Sequence, residues 1–467
     1  MNTPRSTRQV DFTLPLTREE AERIIALGPE AVIFVMLELS RRLAEQHKAS
    51  PSPSTPSGMV PPYEKPAVRK RRRKPGAKPG HPGTRRQPPP EITRREEHPA
   101  PTHCEKCGTK LRKPIEWRYR LIEDIVHTQP EVTEHGIPRT WCPVCRTFVE
   151  PPVPDAMPRA TVGHRMVALT AWLHYGLGVT ISQILAVLNH HLRFTMSAGG
   201  LVSAWQRLAD VLRTWYEEIA EQAKDSAVLH ADETGWRVAG RTVWLWCFTS
   251  RLARATYYMI DRSRGSPALL KFFTESFAGV LVTDFWAAYN AVVCGARQAC
   301  LAHLFRELEK TDQADPSPAW LSFSKKLRRL LHDAIRLRAR QDLPAERLAS
   351  RRSRLDKRLA ALIETRSENR NVKRLIKRLR RYRDALFTFL DHRDVPSDNN
   401  HAEREIRPAV VMRKNSLCNR SENGARAQAI LMSVYRTLKQ RALDPLDTIV
   451  TALKDYVRTG TLPPLPS

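Results

Sequence analysis

The stretch that decides the fold is VLHADETGW, residues 228–236. Apolar residues alternate with polar ones as the chain reaches Asp232, and this period of two indicates a strand. RTVWLWCFTS at 241–250 and RATYYMID at 254–261 have similar patterns, which predict antiparallel neighbours. AGVLVTDFWAAYN at 278–290 predicts another strand that ends at Asp284. We therefore expect a sheet in which two strands each have an aspartate at their polar end.

Aspartates at strand ends can coordinate Mg²⁺, which prefers oxygen ligands and retains waters for phosphate groups. Acids also commonly cap strands without any chemical role, so Asp232 and Asp284 alone leave both interpretations open. A third acidic stretch, SDNNHAEREIRP at 397–408, predicts the start of a helix that ends or kinks at Pro408.

This helix offers two well-separated glutamates. Helical geometry turns Glu405 about 200° away from Glu403, so only one of them can face the two aspartates. Glu405→Gln is therefore expected to be tolerated far better than Glu403→Gln. The alternative role for Glu403 is an exposed ion pair with Arg407, worth about 0.5 kcal/mol.

Two C-x-x-C pairs, CEKC and CPVC, predict a structural zinc site. Their four thiolates, Cys104, Cys107, Cys142 and Cys145, could enclose a tetrahedral ion with no open coordination position. A further motif, CLAH at 300–303, offers Cys300 and His303 as supports for the acidic site. Two ligands alone cannot make a zinc site.

Charge is concentrated in two segments of the 467-residue chain. Residues 65–86 hold ten Lys and Arg without an acid, and residues 325–383 hold 22 against six acids. Together they supply 26 of the 28 excess positive charges. Such segments attract a polyanion by counterion release, which favours nucleic acid. A membrane surface is the competing partner, but the basic segments lack the broad apolar faces that interfacial binding requires.

Several motifs occur in the order typical of one protein family. They are KPGAKPGHPG, the paired C-x-x-C, HADETGW, VTDFWAAY, CLAHLFREL, DNNHAEREIRPAVVMRKN and NGARAQAILMSVYRTLK. In these motifs the chain resembles the transposases of the insertion sequence 66 family, which belong to the DDE group. The resemblance implies a catalytic triad of Asp232, Asp284 and Glu403, two Mg²⁺ ions, and metal-dependent cleavage and strand transfer of DNA.

The resemblance also implies a fold class. We expect a multidomain α+β protein with a ribonuclease H-like core, a mixed sheet with flanking helices, interrupted by a long basic α-helical insertion. The predicted divisions are N-terminal helices (1–48), a Pro-rich basic linker (49–99), a zinc ribbon (100–152), a helix-turn-helix-like DNA-binding region (155–225), the first part of the core (226–310), the insertion (311–393), the second part of the core (394–443) and a C-terminal helix and tail (444–467).

DNA is the expected partner, at both the element ends and the target. The predicted phosphate contacts are Arg71, Arg72, Arg73, Lys74, Arg407, Arg413 and Lys414. We further expect a homo-oligomer on DNA, small accessory transposition proteins, and a bacterial cytoplasmic, nucleoid-associated location without a membrane segment. Two alternatives stay open: another ribonuclease H-like nuclease or integrase, and a non-catalytic zinc-ribbon protein that binds DNA.

Overall fold

The computed structural model describes residues 17–46, 90–114, 116–122, 130–274, 276–340, 343–416 and 418–467. The chain divides into two compact units. Unit 1 comprises Met1–Lys65, Val282–Trp286 and Ala296–Asn399. Unit 2 comprises Pro66–Leu281, Ala287–Gly295 and Asn400–Ser467. The segment that contains Asp284 therefore belongs to the same unit as the basic helices.

Two helices open the described part of the chain, α1 (Arg18–Ala26) and α2 (Pro29–Gln46). The Thr17 hydroxyl accepts from the Glu20 N–H at 3.3 Å, and the Glu20 carboxylate accepts from the Thr17 N–H at 3.0 Å. This capping box satisfies two main-chain donors at the start of α1. Ile24 of α1 and Val35 of α2 are buried against each other's helix in a small apolar cluster.

A small hairpin and a group of helices come next in unit 2. Strands β1 (Thr140–Cys142) and β2 (Thr147–Val149) pair antiparallel. Four helices follow: α3 (His164–Ala171), extended by a π-helical turn, α4 (Ile181–His190), α5 (Ala198–Val211) and α6 (Arg213–Lys224). The Thr180 side chain accepts from the Gln183 N–H and caps α4. Trp205 of α5 and Trp215 of α6 are almost completely buried and anchor these helices in the main core.

The central element is a five-stranded sheet with the order β5-β4-β3-β6-β7. Its strands are β3 (Val228–Val238), β4 (Arg241–Ser250), β5 (Ala255–Asp261), β6 (Phe277–Thr283) and β7 (Cys294–Ala299), with helix α7 (Ser266–Phe272) between β5 and β6. The predicted antiparallel pairing of β3 with β4 is confirmed, whereas β5 pairs antiparallel with β4 and not directly with β3.

The position predicted for Asp232 at a strand end is wrong. Asp232 is the fifth residue of the eleven in β3, and the strand continues to Val238. The residues after the acid keep pairing with β4, from Glu233 opposite Trp246 to Val238 opposite Arg241. The acid therefore lies on a rigid strand rather than on a loop. Asp284, in contrast, immediately follows the last residue of β6, as expected.

A glycine in β6 allows the main chain to come close to the start of β3. A Cβ atom built on Gly279 would lie 2.7 Å from the carbonyl oxygens of Ser226 and Ala227. Because real Cβ atoms do not approach a carbonyl so closely, any other residue here would push the strands apart.

The basic region of unit 1 is helical. It contains α8 (Leu301–Ala314), α9 (Pro318–Ala339), α10 (Ala345–Ile363), α11 (Arg370–Arg381) and the short α12 (Thr388–Asp391). Each long helix buries one apolar stripe, for example Leu327, Leu330 and Leu331 on α9. Leu375, Ile376 and Leu379 do the same on α11. The charged residues consequently lie on the remaining faces.

Three helices complete unit 2: α13 (Asn400–Ser416), α14 (Glu422–Gln440) and α15 (Pro445–Thr459). Pro408 lies inside α13, so the helix continues past it rather than ending there. Proline removes one main-chain hydrogen bond. Burial of Ile406, Ala409 and Met412 on either side of it offsets this loss and carries the helix through.

Among the residues that the structure describes, no helix is long and apolar enough to cross a membrane. The architecture is mixed α and β, with a five-stranded sheet and many helices. This agrees with the coarse fold class that the sequence predicts.

Candidate active site

Asp232 is held by its own strand. It is half-buried on β3, and its Oδ1 accepts a hydrogen bond from the Glu233 N–H at 3.0 Å. Ala231 before it is buried, and the strand pairs with β4 throughout this region. The carboxylate therefore has little freedom to change its position.

The neighbouring acid, Glu233, serves a different purpose. Its side chain is only 3% exposed, and Oε1 accepts from Arg264 Nη2 at 2.9 Å. Oε2 accepts from the Tyr289 hydroxyl at 2.8 Å. The Arg264 guanidinium also lies over the Trp244 ring, 4.6 Å from its centre. The sequence analysis missed these contacts of Glu233. The period of two in a strand was the available signal, because it places residues 232 and 233 on opposite faces of the sheet.

Asp284 lies in unit 1, directly after β6. Its Oδ1 accepts from the Trp286 N–H at 2.8 Å, which makes a tight turn closed by the side chain. The Thr283 hydroxyl donates to the Asp284 carbonyl at 2.9 Å. Both bonds fix the orientation of the half-buried carboxylate at the end of the strand.

Glu403 lies in the first turn of α13 and is half-buried. Two residues earlier, His401 is buried, and its Nε2 lies 3.1 Å from the Thr249 hydroxyl on β4. The His401 ring also meets the His230 ring of β3 edge-on, with ring centres 5.2 Å apart. Burial, followed by the nearby His230 and arginines, lowers the pKa of His401 to about 3. The neutral ring thus anchors the start of α13 on the sheet.

Glu405, which faces away from Glu403 on α13, has a structural partner. It is buried, and its Oε2 accepts from Arg436 Nε at 2.8 Å and from Nη2 at 2.6 Å. Its carbonyl accepts from the buried Tyr258 hydroxyl of β5. Glu405 therefore joins α13 to α14, and its substitution is expected to affect stability.

The structure brings two of the three predicted ligands onto elements that pack together. Helix α13, which carries Glu403, packs against β3, which carries Asp232, and against β4. Arg413 near the end of α13 donates to the Thr234 hydroxyl at 3.1 Å and to the Gly235 carbonyl. Both carboxylates belong to unit 2, whereas Asp284 belongs to unit 1.

Cys300 has a structural role inside unit 1. The buried thiol accepts from the Asn399 N–H at 3.1 Å, and the Leu301 N–H donates to the Ser397 carbonyl at 2.9 Å. The Cys300 N–H donates in turn to the Thr283 carbonyl at 2.8 Å. The start of α8 thus holds both the end of β6 and the segment that precedes α13.

The four predicted zinc ligands are exposed or half-exposed; Cys107 and Cys145 lie in turns, and Cys142 is the last residue of β1. Cys142 Sγ accepts from the Cys145 N–H at 3.4 Å, and Cys107 Sγ lies 3.3 Å from the Thr109 hydroxyl. These bonds lower the pKa of both thiols, which favours the thiolate that binds metal. Within the described residues, no three of the four sulfurs lie within 4.8 Å of one another.

The predicted DNA contacts fall into three groups. Arg71, Arg72, Arg73 and Lys74 lie outside the described residues. On α13, Arg407 and Lys414 are exposed, so they remain predicted phosphate contacts. Arg413 is half-buried and bonded to β3, and its first role is to hold α13 on the sheet.

The comparison with known families decides the identity. A family model described as the transposase IS66 family matches residues 159–427, more than half of the chain. The chain belongs to this family. The match includes Asp232, Asp284 and Glu403 and the whole basic helical region, and it supports a transposase role.

Two relatives from Sinorhizobium fredii are similar to this family member. The uncharacterized protein y4qI is 26% identical over 286 residues, which cover 54% of this chain and 52% of the relative. The uncharacterized protein y4jD is 23% identical over 401 residues, covering 77% and 75%. The chain thus spans about half the length of the first relative and three quarters of the second.

Proposed function

We propose that the protein is a DDE transposase with a ribonuclease H-like core, in which Asp232, Asp284 and Glu403 hold Mg²⁺ at the scissile DNA phosphate. The observation that carries the proposal is the packing of α13 on β3, which places Glu403 and Asp232 on two fixed elements of one unit. Membership of the transposase IS66 family supplies the reaction class.

The donor set suits this metal. All three ligands are carboxylates, which are the hard oxygen donors that Mg²⁺ prefers. All three are half-buried, so they are accessible to substrate. A main-chain N–H also orients one oxygen of each aspartate. When bound, Mg²⁺ would polarise the phosphate and lower the pKa of an attacking water.

The chain's own residues supply position and electrostatics. In the first reaction a water oxygen bonds to phosphorus, the P–O3′ bond breaks, and the 3′ oxygen leaves as a hydroxyl. In the second, that hydroxyl attacks a target phosphate and releases a new 3′ end. Asp232 and Glu403 act from elements anchored by strand pairing and by His401, and Asp284 acts from a turn closed by its own side chain.

The basic helices of unit 1 would contact the DNA backbone. One groove has the required chemistry: Lys326 and Arg329 on α9 and Arg358 on α10 line a cavity of about 520 Å³. The Arg358 guanidinium is oriented by Asp333, 2.8 Å away. Three cations around one groove can contact several phosphates of a DNA backbone. Such contacts do not depend on the DNA sequence.

Neutralising this groove is expected to weaken DNA binding equally for all sequences. In Lys326→Gln/Arg329→Gln, the slope of log affinity against log salt should fall by about 2, about 1 for each lost phosphate contact. Fluorescence anisotropy with an unrelated duplex at several salt concentrations measures this slope. Lys325→Gln/Lys357→Gln, with the same charge change at exposed positions outside the groove lining, is the control. An equal fall of the slope in the control would contradict a role for the groove in binding DNA.

We further propose that the paired C-x-x-C turns hold a structural Zn²⁺. Two turns with thiols whose pKa is lowered by hydrogen bonds provide the thiolates that this ion requires. A closed four-thiolate site would stabilise the module around β1 and β2, which has mostly exposed residues and little core of its own.

Zinc content tests this site. The purified protein should contain about one zinc per chain, and Cys142→Ser should lose most of it. Elemental analysis after dialysis gives the ratio. Cys294→Ser, which changes a cysteine of β7, should leave the zinc content unchanged. Equal metal content in both variants would argue against the proposed ligands.

DNA cleavage tests the function itself. The protein is incubated with Mg²⁺ and DNA that carries the ends of its own element, and the products are resolved on denaturing gels. We expect nicks at the element ends with free 3′ hydroxyls, and joined products when target DNA is added. A protein that binds these ends but neither cuts nor joins them would fit the non-catalytic alternative.

We also propose assembly as a homo-oligomer on DNA, with accessory proteins and a location at the bacterial nucleoid.

A further inference from the structure

Beyond the triad, unit 1 contains a set of contacts that join the Asp284 turn to helix α11. Phe285 follows Asp284 directly, and its carbonyl accepts from the Tyr382 hydroxyl at 3.1 Å. The Tyr382 ring meets the Phe285 ring edge-on, with centres 5.2 Å apart and an interplanar angle of 89°. Tyr382 is only 7% exposed and follows the last residue of α11.

Arg378 strengthens the same contact one helical turn earlier. Its guanidinium lies 5.6 Å from the centre of the Phe285 ring. The carboxylate of Glu307 on α8, 6% exposed, pairs with Arg378 and with Arg374, the latter at 3.1 Å. A buried acid between two arginines fixes the guanidinium of Arg378 in its place over the ring.

The spacing of these residues shows which face of α11 is involved. Arg374, Arg378 and Tyr382 are four residues apart, so they form one row along the helix. Lys373, Lys377 and Arg380 are exposed on other faces. One side of the helix thus contacts the Asp284 turn while the exposed sides offer cations to DNA.

We propose that Tyr382 is a positioning residue for Asp284, and that Arg378 assists it through Phe285. This inference rests on the proposed role of Asp284 as a metal ligand. The main chain of Asp284 is then fixed on both sides: Thr283 accepts from the Cys300 N–H, and Phe285 accepts from Tyr382. Loss of one of these bonds leaves the carboxylate in place but less well oriented, which lowers metal affinity without removing a ligand.

Tyr382→Phe tests this role, since it removes only the hydroxyl and keeps the ring contact. Mn²⁺ is the probe, and electron paramagnetic resonance of the free ion measures its binding to the full-length protein. We expect the Kd for Mn²⁺ to rise about tenfold, as for other residues that orient metal ligands. DNA affinity should stay unchanged. The Mg²⁺ concentration for half-maximal cleavage should rise by the same factor as the Kd.

The control is Tyr435→Phe. Tyr435 is also buried, at 2% exposed, and its hydroxyl donates to the Ala168 carbonyl at 2.8 Å in unit 2. The variant Tyr435→Phe should lower the melting temperature about as much as Tyr382→Phe does, and it should leave Mn²⁺ binding unchanged. Identical Mn²⁺ curves for wild type and Tyr382→Phe, or an equal shift in Tyr435→Phe, would overturn the inference. If Asp284→Asn binds Mn²⁺ like wild type, the proposed function fails instead.

Discussion

Asp284→Asn is expected to reduce DNA cleavage by about 10³-fold or more while DNA binding persists. The substitution keeps the size of the side chain and removes one negative charge from the proposed metal site. Each metal ion stabilises the developing charge by several kcal/mol, and about 4 kcal/mol corresponds to a factor of roughly 10³ in rate. Single-turnover cleavage of element-end DNA in Mg²⁺, with anisotropy for binding, measures both quantities.

Asp232→Asn and Glu403→Gln should behave in the same way, because all three carboxylates belong to the proposed metal site. The control is Asp394→Asn, an identical change at an exposed position in unit 1. It should cleave at the rate of the wild type. If the three variants retain cleavage within a fewfold of wild type, the carboxylates have structural roles and the reaction needs another assignment.

Glu405→Gln is expected to destabilise unit 2 by about 3 kcal/mol, because it leaves the Arg436 guanidinium without its countercharge in a nearly buried place. The effect should be seen as a lower melting temperature or a lower urea midpoint for unit 2. Cleavage per folded molecule should remain near that of wild type, since Glu405 is bonded to α14 rather than to the proposed metal site. Glu405→Gln should thus lower stability and retain cleavage, whereas Glu403→Gln should lose cleavage.

A double variant shows whether loss of the ion pair between Glu405 and Arg436 causes the destabilisation. Glu405→Leu/Arg436→Met removes both charges, so it should be less destabilising than the sum of the two single changes. Additive losses would mean that each residue acts through its other contacts. For Glu405 these include the bond between its carbonyl and Tyr258.

The patterns that the sequence predicted best are local ones. The strands β3, β4 and β5 follow from the apolar and polar pattern within each segment. Asp232 and Asp284 are indicated by the apolar strands before them, whereas the assignment of Glu403 follows from the family resemblance. The end of β3 was misplaced because pairing with β4 continues through the polar residues 232–235 before the alternation returns at Trp236 and Val238.

Long-range partners could not be predicted from one sequence. Glu405 and Arg436 are separated by 31 residues, and Phe285 and Tyr382 by 97. Nothing in the local pattern distinguishes Glu405, which is buried, from an exposed acid of the same helix. The continuation of α13 past Pro408 could not be predicted for the same reason, since the burial of its neighbours depends on the core that α13 meets.

The most direct test of the central claim is to locate the metal on the protein. Fe²⁺ binds at oxygen-donor sites of this kind, and with ascorbate and peroxide it cuts the polypeptide close to its ligands. We expect fragments that end near Asp232, Asp284 and Glu403, all suppressed together by excess Mg²⁺. Cuts that avoid any of these three positions, or that persist unchanged in Mg²⁺, would contradict the proposal that the three carboxylates hold one catalytic metal site.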